Sequence, residues 1–571
     1  MVYTFSSKNR GSKFLEIELF VDNVKESKVF LRLPSWRPGR YELANFAKNI
    51  QHFEVQSMDG NTLDSFKKSK DQWEVVTKGI SKFKVIYNYY SNELNAGSTW
   101  IDEAQMYVNP VNCCLYVVGR EEESIKVFLN QGENDRVAIG MKKQDNYYLA
   151  ENYDALADSP FILSDTLKHN SYRVSGVKFN IWFQGECKPN WRKIKKDFKA
   201  FTKVQLAIMG SFPFEEYHFI YQILPQKAYH GVEHLNSTVI SYGPGYCIME
   251  GKDYEELLGV SSHELFHAWN IKSIRPNDMF PYDFSKENYS KMGYLSEGVT
   301  TYYGDLFLKR SNTFTTNQFL NQINKTLDRH FFNYGAKNLS VADSSFDTWL
   351  DGYVRGVPNR KASIYTEGSI LALATDLLIR DASDCKKSLD SVMYMLFKNY
   401  AQKGKGVKES DYKQELENAS GCSLDELWGK YYYGTGDYFV LLKSLLPKFG
   451  FDLTKTENTK ILAGKYGLYT EPSSNKIMLI APNSPGLKEG LNVGDEIIAI
   501  NDILLEGNNA NNWASYFKGK LNLTVKKDGL LKSIEIKSNN DSYFDIVRMI
   551  KLKKPSKKAL KRRNNWLGKG L

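Results

Sequence analysis

The chain of 571 residues is too long for one compact core and calls for three or four domains. Its composition, 42% hydrophobic and 25% charged, is that of a globular protein, and no apolar run is long enough to span a membrane. The net charge of +10 is local: residues 551–571 hold nine Lys or Arg and no acid, which leaves +1 on the other 550 and removes a basic nucleic-acid face on the main body.

The first 160 residues read as strands. FLEIELFVDN, KVFLRLPSW, HFEVQSM, QWEVVTKG, SKFKVIYNYY and SIKVFLNQ are short, β-rich and near-alternating, separated by Gly, Asn, Asp and Pro. Such spacing predicts a β-sandwich-like domain over residues 1–170. Further strands are predicted in YRVSGVKFNIWFQG and EEYHFIYQILP. From about residue 190 the apolar period becomes helical, in WRKIKKDFKAFTKVQLAIMG, YEELLGVSSHELFHAWN, GVTTYYGDLFLKRSN, TTNQFLNQINKTLDRHFFN, GSILALATDLLIRD and SLDSVMYMLFKNYAQK. This sets a mixed, mostly helical domain at 171–450. Strands return at 455–548, with a hairpin in LNLTVKKDG and LKSIEIKS. The basic tail at 549–571 reads as a solvated end that could touch phosphate or anionic lipid. Cysteines 113, 114, 187, 247, 385 and 422 form no CxxC pair and no disulfide framework, so buried free thiols in a reducing compartment are expected. The opening residues lack a basic end followed by an apolar segment, so a cytoplasmic location is expected.

The chemistry concentrates in SSHELFHAWN. On a helix His263 and His267, four residues apart, share one face and can reach one metal ion, while Glu264 lies beside metal-bound water. Zinc suits such a donor set because it accepts tetrahedral N and O ligands and acidifies water. The competing reading is two core histidines flanking a surface glutamate. A third ligand is offered by Glu297 in YLSEGVTTYYGDLFL, thirty residues after His267 across a Gly-, Pro- and Asn-containing loop; otherwise it is a glutamate at a helix start. Upstream, AYHGVEHLNSTVI sets Glu233 and His234 among small residues. There Glu233 reads as facing substrate from an edge strand lining a cleft, and His234 as an alternative ligand. Histidines 52, 169, 218, 230 and 330 have no metal spacing. No nucleotide loop or Ser-His-Asp pattern competes, and YGPGY is too short for phosphate binding.

These segments together resemble the glycyl aminopeptidase family of zinc peptidases, M61, whose members often carry a PDZ domain. The likeness lies in LPSWRPGRYELANFAKNI, YHGVEHLNST, SHELFHAWNIKSIRP, YLSEGVTTYY, SSFDTWLDGY and IYTEGSILALATDLLIR. It implies a thermolysin-like catalytic domain that removes N-terminal residues, Gly or Ala preferred, from peptides with a free N-terminus. It further implies His263, His267 and Glu297 as zinc ligands, Glu264 as base, Glu233 with neighbouring Gly231 as the site for the substrate amine, and Tyr365 as the oxyanion donor. The chain departs from the family in having His230 in place of the first of two glycines. It also reads Ile364-Tyr365-Thr366-Glu367-Gly368 where the family often has Tyr-Tyr-x-Lys-Gly. NSPGLKEGLNVGDEIIAINDI resembles the middle of a PDZ domain, whereas the usual Gly-Leu-Gly-Phe carboxylate loop is altered or absent in YGLYTEPSSNKIMLI. A PDZ-like domain with weak or no affinity for free carboxyl termini is therefore expected. The alternatives are an endopeptidase and a peptide-binding scaffold without turnover.

Overall fold

The computed structural model describes residues 1–352 and 356–568. The last residue of SSFDTWLDGY and the last three of the basic tail lie outside this range. At the N-terminal end, alternation in the sequence becomes alternation in burial. In Phe14–Val21 every second side chain is buried, and the strand pairs antiparallel with Phe83–Tyr90. A seven-stranded sheet and two four-stranded sheets enclose one core containing Leu15, Leu19, Tyr87 and Val127.

The middle region opens with a five-stranded sheet: β1 (Lys168–Val174), β2 (Val177–Gln184), β3 (Glu216–Ile223), β4 (Ala228–Glu233) and β5 (Ser237–Gly243). Its spatial order is β1-β2-β3-β5-β4, so β4 is an edge strand, antiparallel to β5. Two helices, α1 (Trp191–Met209) and α2 (Gly251–His267), pack on it, and behind them lie α3 (Thr300–Arg310), α4 (Thr316–Phe331) and α5 (Ile364–Ala382). α5 is apolar nearly all round and accordingly sits inside the helical core. Tyr107 and Ile162 from the N-terminal sheets pack with Trp182, Ile220 and Val239, joining the two regions.

Beyond residue 450 a short helix, α6 (Ile461–Tyr466), precedes the two-stranded pair β6 (Leu468–Thr470) and β7 (Ile477–Ile480). A four-stranded sheet and α7 (Ala510–Phe517) complete this small core, and the expected hairpin is Lys520–Lys527 with Leu530–Lys537. The basic segment corrects the reading of a solvated end. Ile546–Lys551 pairs with Phe451–Thr456, and α8 (Lys557–Leu567) docks on the helical middle region. Trp566 is fully buried and its indole donates to the Tyr302 hydroxyl at 2.8 Å, while Arg562 pairs with Asp381 and Asp384. The tail's charge answers acids of the helical core, a pairing that composition cannot reveal. Cys113, Cys114, Cys187 and Cys247 are buried free thiols as expected, but Cys385 is half-buried and Cys422 exposed. Among the described residues no helix is long and apolar enough to cross a membrane.

Candidate metal centre and cleft

The last two turns of α2 bring His263 and His267 together, their Nε2 atoms 3.0 Å apart. Glu297 Oε2 lies 3.4 Å from His267 Nε2 and 3.9 Å from His263 Nε2. Donors bound to one tetrahedral zinc at about 2.0–2.1 Å stand roughly 3.3 Å from one another, so the three atoms fit one ion. The His267 Nδ1 is 2.7 Å from the carbonyl oxygen of Asn270. A carbonyl only accepts, so Nδ1 carries the proton and Nε2 presents its lone pair to the site.

The third donor is placed by an irregular turn. Tyr294–Val299 is π-helical, and its extra residue per turn rotates Glu297 toward the histidines. Asn270 ties this turn to the end of α2, donating to Leu295 O at 2.8 Å and to Thr300 Oγ1 at 3.0 Å. Three glycines provide the room. A Cβ on Gly298 would lie 2.3 Å from the Gly368 Cα, one on Gly304 3.2 Å from the His263 Cβ, and one on Gly231 2.1 Å from Glu264 Oε1. Gly231 thus admits the Glu264 carboxylate against β4.

Donor atoms of Glu233, Glu264 and His267 lie within 4.8 Å of one another, all buried. Burial, aided by the Glu233 and Glu297 charges, pushes the Glu264 carboxyl up to about 8; His267 and a Thr238 hydroxyl 3.3 Å from Oε2 oppose the shift. Burial also disfavours a charged His267, but Glu297 and Glu233 outweigh it and raise the ring to about 10. The clustered carboxylates therefore make the pocket attractive to positive charge.

Glu233 ends β4, and the N-terminal region reaches it. Gly39, at φ +78°, lies so close that a Cβ there would meet Glu233 Oε2 at 2.7 Å. His230 is pushed down to about 4, by burial first and then by Arg37 and Arg40 of the same loop. His234 faces away from the metal centre: its Nδ1 is 3.0 Å from Asp158 Oδ1, whose other oxygen is 2.6 Å from Lys272 Nζ. Tyr365 occupies the first turn of α5, beside Gly368, in the wall of a cavity of about 820 Å³. His330 is paired with Glu367 at 2.9 Å. Sequence reasoning did not single out Asn270, Thr238 or Gly39. HAWN and the PGR turn were visible, but their partners lie far away in the chain.

A family model for the Peptidase M61 N-terminal domain matches residues 2–165, and one for M61 glycyl aminopeptidase matches residues 256–371. Over these residues the chain matches the N-terminal and catalytic parts of the M61 peptidase family. The second match contains all three clustered donors and Glu264. A solved aminopeptidase N family protein from Idiomarina loihiensis shares the fold across 100% of both chains, with a TM-score of 0.91 at 23% identity. An M1 zinc metallopeptidase from Deinococcus radiodurans, solved with a Tyr-Ser-Ala substrate, aligns over 76% of this chain and 94% of its own at 12% identity, with a TM-score of 0.47. No curated protein matches the chain. The chain is an enzyme of the metallo-aminopeptidase class.

Proposed function

We propose that this aminopeptidase uses zinc held by His263, His267 and Glu297, and that it removes Gly or Ala from peptides with a free N-terminus. The observation that carries the reading is the shared pocket of Glu264, His267 and Glu233. The first peptide bond lies only about 3.4 Å along the chain from the amine, so a base and an amine acceptor this close select the terminal bond. Gly39 standing against Glu233 supports the same conclusion, because it leaves little room for residues upstream of the amine.

Bound zinc would polarise the scissile carbonyl and acidify water. Glu264 takes the proton as water attacks and returns it to the leaving amine; a carboxyl lifted toward neutral pH is suited to both steps. Tyr365 donates to the developing oxyanion. Glu233 accepts the substrate ammonium, and an acetylated amine would leave that carboxylate buried and unpaired. The surroundings correspond to a thermolysin-like catalytic domain, and residues 455–548 to a PDZ-like domain. In the latter, Leu462 and Tyr466 of α6 pack with Ala510 and Ala514 of α7. Weak carboxyl-terminal binding follows from the altered carboxylate loop in YGLYTEPSSNKIMLI.

Gly- and Ala-capped chromogenic amides and their N-acetyl forms, assayed with and without a chelator, test this reading. Free substrates should be cleaved in a chelator-sensitive manner, and Glu233→Gln should lower kcat/KM by about 10- to 150-fold. Equal cleavage of blocked and free substrates would refute the exopeptidase assignment.

A further inference from the structure

A half-buried carboxylate on α3, Asp305, has no part in hydrolysis, yet it stands beside the cleft just past the base. The direction of the cleft is set by contacts. Glu233 shares a pocket with His267 at the end of α2, and Gly231 stands against Glu264 one turn earlier. Moving from Glu233 to Gly231 along β4 is thus moving from His267 to Glu264 along α2, from the amine end to the base. Val232 packs toward the N-terminal sheets, so strand alternation puts Tyr229 on the opposite face, with Gly231 and Glu233. Two residues of strand cover about 7 Å and five of helix about 7.5 Å, so Tyr229 and Gly259 stand level beyond Gly231 and Glu264. This is the leaving-group side of the scissile bond.

Gly259 precedes His263 by four residues and shares its stripe of α2. α3 crosses that stripe. Its Gly304 packs on His263, where a Cβ would meet the His263 Cβ at 3.2 Å, and the next residue, Asp305, reaches Gly259. A Cβ on Gly259 would meet Asp305 Oδ1 at 4.0 Å and no other heavy atom within that distance, so the floor of the cleft is open here. Tyr229, 56% exposed, is the β4 side chain at this level. Asp305 makes no hydrogen bond or ion pair with any described residue, whereas Glu256, one turn before Gly259, has Lys325 at 4.0 Å. Burial leads in raising the Asp305 carboxyl to about 7; Lys325 and Arg329 oppose the rise without coming into ion-pair distance.

We propose that Gly259, Tyr229 and Asp305 form the pocket for the side chain of the residue after the cleaved bond, and that Asp305 selects lysine or arginine there. The inference rests on the aminopeptidase reading, with the amine at Glu233. A first residue of Gly offers no side chain to discriminate, which leaves the second residue to set the choice. An extended Lys side chain is about 6 Å long, the rise from His263 to Gly259, so an ammonium carried from beside the metal reaches Asp305. A cation there supplies the partner that this carboxylate lacks, while a glutamate would set two carboxylates together.

The test compares release of glycine from Gly-Lys-Ala, Gly-Met-Ala and Gly-Glu-Ala by wild type, Asp305→Asn and Asp305→Glu. Assay at about pH 8 keeps Asp305, with its carboxyl at about 7, mostly ionised. Wild type should favour the Lys peptide over the Met peptide by about 5- to 30-fold in kcat/KM, the range of a charge-assisted contact at a half-exposed site, and cleave the Glu peptide worst. The Lys-to-Met ratio should fall to near one in Asp305→Asn and be partly kept in Asp305→Glu, with metal content unchanged in both. A wild-type ratio near one, or a ratio that survives in Asp305→Asn, overturns the proposal. Gly-p-nitroanilide, which has no second residue, separates the two levels. If wild type cleaves it while the ratio is near one, the pocket assignment falls and the aminopeptidase reading stands; if wild type cleaves none of these substrates, both fall.

Discussion

Gly298→Ala tests whether the metal centre depends on two backbones touching. The added Cβ would lie 2.3 Å from the Gly368 Cα and 3.0 Å from the Ile364 carbonyl oxygen, whereas ordinary contact begins at 3.4 Å. Both obstacles are main chain, so no rotamer change relieves them. α5 must withdraw by roughly 1 Å or the π turn must unwind, and close-packed interiors yield poorly to either. Overpacking of this kind costs about 1–3 kcal/mol. Because Glu297 immediately precedes Gly298, the movement falls on a donor. Loss of metal affinity by about 10- to 100-fold is expected, as for changes that misplace a ligand. Metal content after graded chelator competition, measured beside the thermal midpoint, reads both effects. Gly259→Ala on α2 is the control: its Cβ would meet nothing nearer than Asp305 Oδ1 at 4.0 Å, so helix propensity should leave it neutral or about 0.5–1 kcal/mol more stable. Wild-type metal affinity in Gly298→Ala would refute the argument.

Glu264→Gln should retain the metal and lose about 10²- to 10⁴-fold in kcat, since it keeps the side-chain shape and removes the proton acceptor; a metal-loaded, fully active variant would contradict the assigned role. Asp305 predicts a pH dependence of stability. Its folded pKa of about 7 exceeds the unfolded value of about 3.9, so the folded state holds the proton more tightly and stability falls as pH rises between those values. Three units set a ceiling of about 4 kcal/mol, which partial exposure reduces to about 1–2 kcal/mol. Asp305→Asn should flatten the melting temperature between about pH 4 and 7, read by scanning calorimetry, and an unchanged slope would remove Asp305 as the cause.

The motif-bearing parts of the site were legible because helical spacing is local information. The i, i+4 histidines share a face wherever they fold, and Glu297 announced itself by following a loop long enough to return. What the sequence could not show was how remote backbones fit together. Gly231 was singled out as a neighbour of the amine acceptor, but its place against Glu264 depends on β4 crossing α2. The Gly298–Gly368 contact joins residues seventy apart, and the π turn leaves no trace in a period of 3.6. The tail misled for a related reason. Its charge density is that of a disordered end, and nothing in the charge pattern marks Trp566 as a buried anchor. The acids that neutralise α8, Asp381 and Asp384, were hidden in a helix end that looked solvated.

The N-terminal and catalytic regions are bound by buried charge, and this bears on how the amine end is built. Asp158, from the N-terminal strand region, is 5% exposed and holds both Lys272 Nζ at 2.6 Å and His234 Nδ1 at 3.0 Å. Lys272 follows the metal helix, and its amide donates to the His267 carbonyl at 3.0 Å. His234 is adjacent to Glu233. One carboxylate therefore fixes the segments that bear His267 and Glu233. Burial alone would raise its pKa, but Lys272 and His234 outweigh it and hold it below the usual range. Asp158→Ala should cost about 3–5 kcal/mol, because it strands a fully buried ammonium. Lys272→Met alone strands the carboxylate and should cost a similar amount, whereas the double variant removes both charges and should recover much of the loss. Denaturant unfolding of the four proteins gives the coupling energy directly. If the two losses simply add, the pair does not join the regions, and the placement of Glu233 must be sought in the contact with Gly39 instead.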